Sequence, residues 1–121
     1  MNDYIDCSKV YIDKSKYGLG VFANRDIEVG EVVEKGIMTP LINIDGNENP
    51  HVFTWSEDRT RWAVGSGLLP FYNHFEKPNI KKEGDLIHNT MKIIAIKNIK
   101  KGEELGNSYH SKKWRKCFQD F

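Results

Sequence analysis

Residues 71–79 read FYNHFEKPN, where an Asn-His pair lies within an aromatic run and a Pro-Asn pair follows it. This order is unusual for a simple strand, because a buried asparagine must satisfy its amide and a buried histidine must adopt a tautomer that suits its neighbours. Taken alone, the segment also suits a turn at Pro78 with His74 as an ordinary core residue. A functional role for Asn73 and His74 therefore depends on the segments around them.

Two glycine-containing segments lie on either side of this stretch. Residues 17–22 read YGLGVF, a bend ahead of an apolar strand, and glycine there lets a ligand approach the backbone closely. The bend is not a dinucleotide-binding motif, because the third glycine is missing and no helix follows. Residues 102–109 read GEELGNSY, with acidic residues on a turn, where they are usually solvated, and Tyr109 at a strand end, where a tyrosine usually packs. Each segment alone is more typical of a plain turn than of a site.

The apolar patterning predicts short strands separated by turns. β-Branched and aromatic residues define strand candidates at 10–12, 20–23, 31–34 and 91–96. No window has a sustained helical period, and the one helical candidate is a turn or two within residues 56–64. We therefore predict a mainly β chain with few, short helices.

The chain repeats one local pattern. Residues 26–33, DIEVGEVV, match residues 98–105, NIKKGEEL, at an offset of 72. Both place Asx-Ile ahead of a turn closed by glycine, which supplies the positive φ that such a turn favours. Two occurrences do not make a solenoid, so we predict two similar β-corners within one domain.

Length and composition indicate one small globular domain. The chain has 121 residues, of which 39% are hydrophobic and 29% charged, enough for a single core. No apolar run approaches a membrane span and no basic-then-apolar leader follows Met1, so we expect an intracellular protein without a membrane partner. Cys7 and Cys117 lie far apart and the four histidines lack metal-ligand spacing, so we expect no metal.

The charge is unevenly distributed. The net charge is +1, but residues 1–50 sum to −4 (5 basic, 9 acidic) and residues 91–121 to +5 (8 basic, 3 acidic). A basic tail could bind nucleic acid, through Lys112, Lys113, Arg115 and Lys116. Nucleic-acid domains are usually more basic overall, so nucleic acid is not the expected primary partner.

Taken together and in this order, the three segments resemble the SET domain family of protein-lysine methyltransferases. The family pattern is a Gly-x-Gly bend, then Asn-His-Ser-x-x-Pro-Asn, then Gly-Glu-Glu-(Leu/Ile)-x-x-x-Tyr. Here the three motifs stand at residues 18–20, 73–79 and 102–109. The resemblance extends from about Val10 to Trp114 and implies a single SET-like domain over 1–121, with a core at about 10–114 and a tail at 115–121.

The resemblance implies both a fold and an activity. The fold is a β-clip of short strands and small sheets, whose carboxyl-terminal segment threads under the Asn-His loop as a pseudoknot. The activity is transfer of a methyl group from S-adenosylmethionine to a lysine of a protein or peptide, leaving S-adenosylhomocysteine and requiring no metal. A histone is one candidate substrate. The size is similar to single-domain viral and bacterial members, which suggests a homodimer located in the cytoplasm, or in the host nucleus for a viral protein.

The resemblance also assigns residues. Contact with the methionine end of the cofactor carries over to Tyr17, Gly18, Leu19 and Gly20. Contact near the adenine and ribose carries over to Asn73 and His74. Catalysis at the methyl-transfer centre carries over to Tyr109.

Departures from the family pattern leave alternatives open. Phe75 stands where many relatives have Ser or Cys, and His51-Val52-Phe53 where many have Tyr-x-Phe. We expect His51, Phe53 and Trp114 to line the substrate channel, although an aromatic tail would equally pack on the domain or on a second copy. The alternative function is a SET-like module that binds peptide or nucleic acid without transferring a methyl group, with Phe75 and His51 as the cause.

Overall fold

The structure is a computed structural model that describes residues 5–16, 18–41 and 62–108, together with the backbone of residues 52–54. Several predicted site residues lie outside the described residues: Tyr17, His51, Tyr109 and Trp114, as well as the tail at 115–121. Of Phe53 only the backbone is described.

In the described part of the chain, nine strands form two mainly antiparallel sheets, which confirms the mainly β prediction. The four-stranded sheet has the order β1-β2-β9-β6 and the five-stranded sheet the order β4-β5-β3-β8-β7. The strands are β1 Val10–Ser15, β2 Gly18–Ala23, β3 Val32–Leu41, β4 Val52–Thr54, β5 Trp62–Gly65, β6 Asn73–His74, β7 Ile80–Asp85, β8 Thr90–Ala95 and β9 Glu104–Asn107. The described part of the chain has no α-helix, and its one helical element is a 3-10 turn at Leu69–Phe71. No helix long and apolar enough to cross a membrane occurs among these residues.

The helical candidate at 56–64 is wrong where it can be compared. Residues 62–64 belong to β5, which pairs with β3 from Met38–Gly65 to Leu41–Trp62. A short apolar run is compatible with either helix or strand, and here the pairing with a long neighbouring strand decides between them. Residues 56–61 lie outside the described residues.

The two predicted β-corners exist, and they pair with each other. The backbones of Ile27 and Ile99 exchange two hydrogen bonds, each 2.8 Å long. The side chain of Asp26 accepts from the Lys101 amide at 2.9 Å, and that of Asn98 accepts from the Val29 amide at 2.9 Å. The Asx side chains therefore bond across to the partner corner, rather than within their own turn.

The glycines of the two corners are equivalent as well. Gly30 has a φ of 91° and Gly102 a φ of 88°, which is the left-handed region where glycine is favoured. Gly30 donates to the Ala95 carbonyl and Gly102 to the Ala23 carbonyl, both at 2.8 Å. A local pseudo-twofold axis therefore passes between Ile27 and Ile99.

The same axis relates whole strands. Residues 18–23 and 90–95, which form β2 and β8, stand at the 72-residue offset of the corners. In both repeats a hairpin comes first, and β1 and β7 have the same alternation of buried and exposed positions. The pairing Phe22–Glu104 has its counterpart in Ile94–Val32, after which a bulge at Val33 shifts the second register.

Half of the core is built from these repeated positions. Eight of the sixteen buried apolar residues of the described chain form pairs that the offset relates: Val21 with Ile93, Ala23 with Ala95, Ile27 with Ile99, and Val33 with Leu105. Burying one such side chain contributes about 1.5–3 kcal/mol. The apolar core and the paired corners thus fix the relative position of β2 and β9, on which the site is built.

One parallel strand pair lies outside the repeat. β6 runs parallel to β9, with Asn73 opposite Gly106 and His74 opposite Asn107. The second and third motifs are therefore adjacent in space, although the residues that pair, Asn73 with Gly106 and His74 with Asn107, are 33 positions apart in sequence. Whether the chain beyond residue 108 threads as a pseudoknot stays a prediction.

Candidate active site

The two glycines of the first motif are required for different reasons. Gly18 has a φ of 105°, which residues with a Cβ rarely adopt. A Cβ on Gly20 would lie 2.5 Å from the Glu104 carboxylate and 3.0 Å from the Asn73 amide nitrogen. Between them, Leu19 is 52% exposed. The bend is therefore pressed against the other two motifs and leaves one side open.

The side-chain amide of Asn73 joins the three motifs. Asn73 is 9% exposed, and its Nδ2 donates to the Leu19 carbonyl at 3.1 Å and to Glu104 Oε2 at 2.9 Å. The other carboxylate oxygen of Glu104 accepts from Ser15 Oγ at 3.0 Å. This polar node connects β1, β2, β6 and β9, and it holds the bend at a fixed distance from β9.

A second asparagine holds β9 from the other side. Asn79, the last residue of the second motif, is buried. Its Nδ2 donates to the Glu104 carbonyl at 2.9 Å, and its Oδ1 accepts from the Gly106 amide at 2.9 Å. The side-chain amide therefore makes the two hydrogen bonds to the β9 backbone that a neighbouring strand would make, which explains why an asparagine follows Pro78 here.

Phe75 and Gly106 form a complementary pair. A Cβ on Gly106 would overlap the Phe75 ring, which packs directly against this glycine. The Phe75 amide also donates to the Asn107 carbonyl at 3.0 Å. The bulky residue that departs from the family pattern is therefore accommodated by the absence of a side chain on the facing strand.

His74 stands beside the end of β9. Its side chain is partly buried, and Nε2 lies 3.2 Å from Oε1 of the exposed Glu76. Its register partner Asn107 is 5% exposed, and Asn107 Nδ2 donates to the Ser108 carbonyl at 3.1 Å. Asn107 Oδ1 is buried and has no hydrogen-bond partner within the described residues.

A buried carboxylate supports the loop that leads into β6. Glu34 on β3 is 1% exposed, and it accepts from the Tyr72 hydroxyl at 2.7 Å and from the Leu68 amide at 2.8 Å. Burial raises the pKa of Glu34 to about 7, although both hydrogen bonds favour its charged form. Burial, with the Glu34 charge beside it, raises the pKa of Tyr72 well above its usual value. The Glu34 carboxyl therefore titrates near neutrality, and it is hydrogen-bonded to Tyr72, the residue before Asn73.

The pseudo-twofold axis produces a second, chemically different end of the domain. A groove of about 510 Å³ lies among β3, β7 and β8. Its walls include Thr90-Met91-Lys92, which the 72-residue offset makes the counterpart of Gly18-Leu19-Gly20, and Lys35, the counterpart of Asn107. The second end therefore lacks the glycine bend. No group of His, Cys, Asp or Glu residues suited to a metal ion occurs among residues 5–16, 18–41 and 62–108.

The structure brings together five of the predicted site residues, namely Gly18, Leu19, Gly20, Asn73 and His74. Sequence reasoning missed other members of the site: Ser15, Glu34, Asn79, Glu104 and Asn107. It treated the acidic pair at 103–104 as solvated, which is wrong for Glu104. The available signal was the glycine at position 20, because a bend that excludes a Cβ needs neighbours pressed against it.

Two small sheets joined by paired β-corners, with an Asn-His strand parallel to the last strand, define a β-clip architecture. Comparison with known proteins then identifies the family within this architecture. A profile described as SET domain matches residues 18–110, and the chain belongs to the SET domain family.

Relatives and solved structures agree with this membership. The histone-lysine N-methyltransferase of Schizosaccharomyces pombe specific for lysine 37 of histone H3 is 28% identical over 112 residues, covering 84% of this chain and 73% of that protein. A candidate histone methyltransferase of Plasmodium falciparum aligns with a TM-score of 0.67 and 30% identity, covering 84% of this chain and 92% of that one. The polycomb repressive complex 2 of Chaetomium thermophilum, bound to S-adenosylmethionine, aligns with a TM-score of 0.71 and 28% identity. That alignment covers 88% of this chain but only 16% of the other.

Proposed function

We propose that the protein is a protein-lysine N-methyltransferase that uses S-adenosylmethionine. The observation that carries the proposal is the Asn73 amide, which binds the glycine bend through Leu19 and the third motif through Glu104. The three motifs of the resemblance therefore form one site rather than three unrelated turns. Membership of the SET domain family and the histone-lysine methyltransferase among the relatives support the same activity.

The residues present fit an S-adenosyl cofactor. The bend at Gly18–Gly20 leaves backbone groups accessible on its open side, because Gly18, which has only backbone atoms, is exposed. Opposite it, Asn107 carries a buried acceptor without a partner among the described residues. We assign the methionine end of the cofactor to the bend, with Tyr17, and the adenine and ribose to the neighbourhood of Asn73 and His74.

The polar node then has a mechanical role. The Asn73 amide is engaged by protein atoms, so its contribution to cofactor binding is to hold Leu19 and Glu104 in place. Because a displacement of about 1 Å in a reacting group can cost 10²-fold in rate, a rigid bend matters more than an additional contact. Asn73 is therefore a positioning residue in this proposal.

The chemistry asks little else of the protein. Bound S-adenosylmethionine supplies a methyl group on a positive sulfur, and the new N–C bond forms as the S–C bond breaks, leaving S-adenosylhomocysteine. The lysine ammonium, with a usual pKa of about 10.4, must first lose a proton. A dry channel disfavours the cation and lowers that pKa. We assign orientation of the free amine to Tyr109, and alignment of this kind supplies about 7–11 kcal/mol of a barrier.

We propose a histone lysine as the substrate class, with the peptide bound in extended form. The support is the printed specificity of the Schizosaccharomyces pombe relative for a lysine of histone H3. Such a substrate would place the protein inside a cell or its nucleus. His51, Phe53 and Trp114 are the proposed channel residues, and a homodimer is the proposed assembly.

The competing function is a SET-like module without transfer activity, for which Phe75 and His51 are the two supports. Phe75 packs against Gly106 without disturbing the Asn73 node, so the departure at Phe75 is accommodated within the site. His51 remains as the other support.

Calorimetric titration of the whole chain with S-adenosylmethionine and S-adenosylhomocysteine tests the proposal. Saturable binding of one molecule per chain, followed by transfer of labelled methyl to core histones or to a lysate protein, is the expected result. No binding at millimolar cofactor would overturn the enzyme and leave the binding module. Cofactor binding without transfer to any lysine would overturn the lysine substrate alone.

A further inference from the structure

Asn107 is the one buried polar side chain of the described residues with an atom that has no hydrogen-bond partner. The residue closes β9 and is 5% exposed. Most buried polar atoms in folded proteins are paired, because an acceptor that is removed from water without a new partner destabilises the fold. An unpaired acceptor at the end of a motif strand therefore calls for an explanation in terms of what the site binds.

The unpaired atom is an acceptor. Asn107 Nδ2 lies 3.1 Å from the Ser108 carbonyl oxygen, a contact that only the nitrogen of the amide can make favourably. This neighbour fixes the orientation of the amide and leaves Oδ1 as the group without a partner. Whatever completes the site must therefore offer a hydrogen-bond donor.

The backbone around Asn107 is held by hydrogen bonds on two sides. The strand therefore cannot shift to bring Oδ1 to another hydrogen-bond donor. The Asn107 carbonyl accepts from the Phe75 amide at 3.0 Å. One residue earlier, the Gly106 amide donates to Asn79 Oδ1 at 2.9 Å, and the Gly106 carbonyl accepts from the Asn79 amide at 3.1 Å. The acceptor is thus presented at a fixed point on β9, between His74 on β6 and strand β2, whose bend at Gly18–Gly20 is assigned the methionine end of the cofactor.

We propose that Asn107 Oδ1 receives an N–H donor from an amine bound in the methyl-transfer site. The inference rests on the proposed function and assigns it a further positioning residue. Two amines belong to that reaction: the α-ammonium of the cofactor and the ε-amine of the substrate lysine. For the lysine the consequence is selective, because each methyl group added removes one N–H donor and weakens its hold on Asn107.

The test compares two asparagines that contact the same strand. Asn107→Leu removes the unpaired acceptor and keeps the number of side-chain heavy atoms and the branch at Cγ, and we expect it to melt within about 2 °C of the parent chain. Asn79→Leu removes an asparagine whose two polar atoms are both engaged, and we expect its melting temperature to fall by roughly 5–15 °C. Equal losses in the two variants would mean that Asn107 has a structural role, which overturns the inference.

Two further experiments, one on cofactor binding and one on the number of methyl groups transferred, then identify the amine. In the first, calorimetry compares S-adenosylhomocysteine with an analogue that lacks its α-amino group, using the parent chain and Asn107→Leu. In the second, mass spectrometry counts mono-, di- and trimethyl-lysine on the substrate that the labelled-methyl screen identifies. A hydrogen bond to a charged donor is expected to change the affected quantity about ten- to hundredfold.

The two experiments have distinct outcomes. A loss of S-adenosylhomocysteine affinity in Asn107→Leu, absent for the analogue, assigns the cofactor ammonium. A shift of Asn107→Leu toward higher methylation with unchanged cofactor affinity assigns the lysine. Parent-like behaviour in both experiments means that Oδ1 holds only water and overturns the inference alone. A parent chain that binds no S-adenosylhomocysteine overturns the proposed function and this inference with it.

Discussion

The ring of Phe75 covers Gly106 so closely that no side chain can be added to the glycine without moving the ring. These two residues belong to different motifs, and their backbones lie on adjacent parallel strands, β6 with its continuation and β9. Their fit means that each position constrains the other.

Gly106→Ala is expected to destabilise the domain by about 1–3 kcal/mol, because the added methyl group overpacks the contact with Phe75. The double variant Phe75→Ser/Gly106→Ala should recover part of this loss, giving an interaction energy of about 0.5–3 kcal/mol. Urea unfolding of the two single variants and the double variant measures it. Strictly additive losses would show that the contact with Phe75 is not the cause.

Asn73→Ala is expected to cost about 1–3 kcal/mol of stability, because it leaves the Leu19 carbonyl and the Glu104 carboxylate without their shared donor. Cofactor affinity should fall with it, since the glycine bend loses its support. Asn24→Ala is the matched control: this asparagine also donates to a backbone carbonyl, that of Ser8, but on the surface, so a change within about 0.5 kcal/mol is expected. Unchanged affinity for S-adenosylhomocysteine in Asn73→Ala would remove the residue from the site.

The raised pKa of Glu34 predicts that the free energy of unfolding of the domain declines as pH rises toward neutrality. Its folded pKa is about 7 and its usual value 4.5, so the folded state holds the proton more tightly than the unfolded chain. The contribution is fully present below pH 4.5 and is lost as pH rises through about 7, amounting to at most about 3 kcal/mol.

Glu34→Gln removes this titration. Relative to the parent chain, the variant should gain stability between pH 5 and pH 8, as measured by urea unfolding at several pH values. Glu83→Gln, on the exposed face of β7, serves as the control and should run parallel to the parent. A parallel profile for Glu34→Gln as well would contradict the assigned pKa.

Tyr109→Phe is expected to lower methyl transfer by about 10²-fold or more, because the amine loses the hydroxyl that orients it. Cofactor affinity and melting temperature should remain close to those of the parent. Tyr11→Phe is the control, since Tyr11 stacks on Phe22 with ring centroids 5.8 Å apart and keeps that contact without its hydroxyl. Transfer at the parent rate in Tyr109→Phe would rule out the proposed role.

The sequence allowed the motifs and the corners to be predicted because both depend on local chemistry. Gly30 and Gly102 have positive φ values, and Asp26 and Asn98 leave a recognisable pattern before them. The offset of 72 residues then located two equivalent corners, although their mutual pairing was not foreseen.

The polar node could not be predicted in the same way. Glu104 finds its partner Ser15 at a distance of 89 residues in sequence, and no local pattern reports such a pairing. The burial of Glu34 could not be predicted either, because the Leu68 amide that it binds is 34 residues away in sequence. Strand β5 was missed for a related reason, since its identity depends on pairing with β3 rather than on its own composition.

The pseudo-twofold arrangement also dictates an order of folding. Each hairpin, β1–β2 and β7–β8, closes over a short turn, but β2 must wait for β9 and β3 for β8. Pairing of strands that are distant in sequence requires a long segment of chain to close, and its entropy is lost before the new contacts form. Folding is therefore slow. On the ribosome the first repeat therefore emerges with its apolar faces uncovered, and it stays so until residues near 99–105 have been synthesised. We therefore expect the cost of this symmetry to fall on the nascent chain, as exposed apolar surface, rather than on the stability of the finished domain.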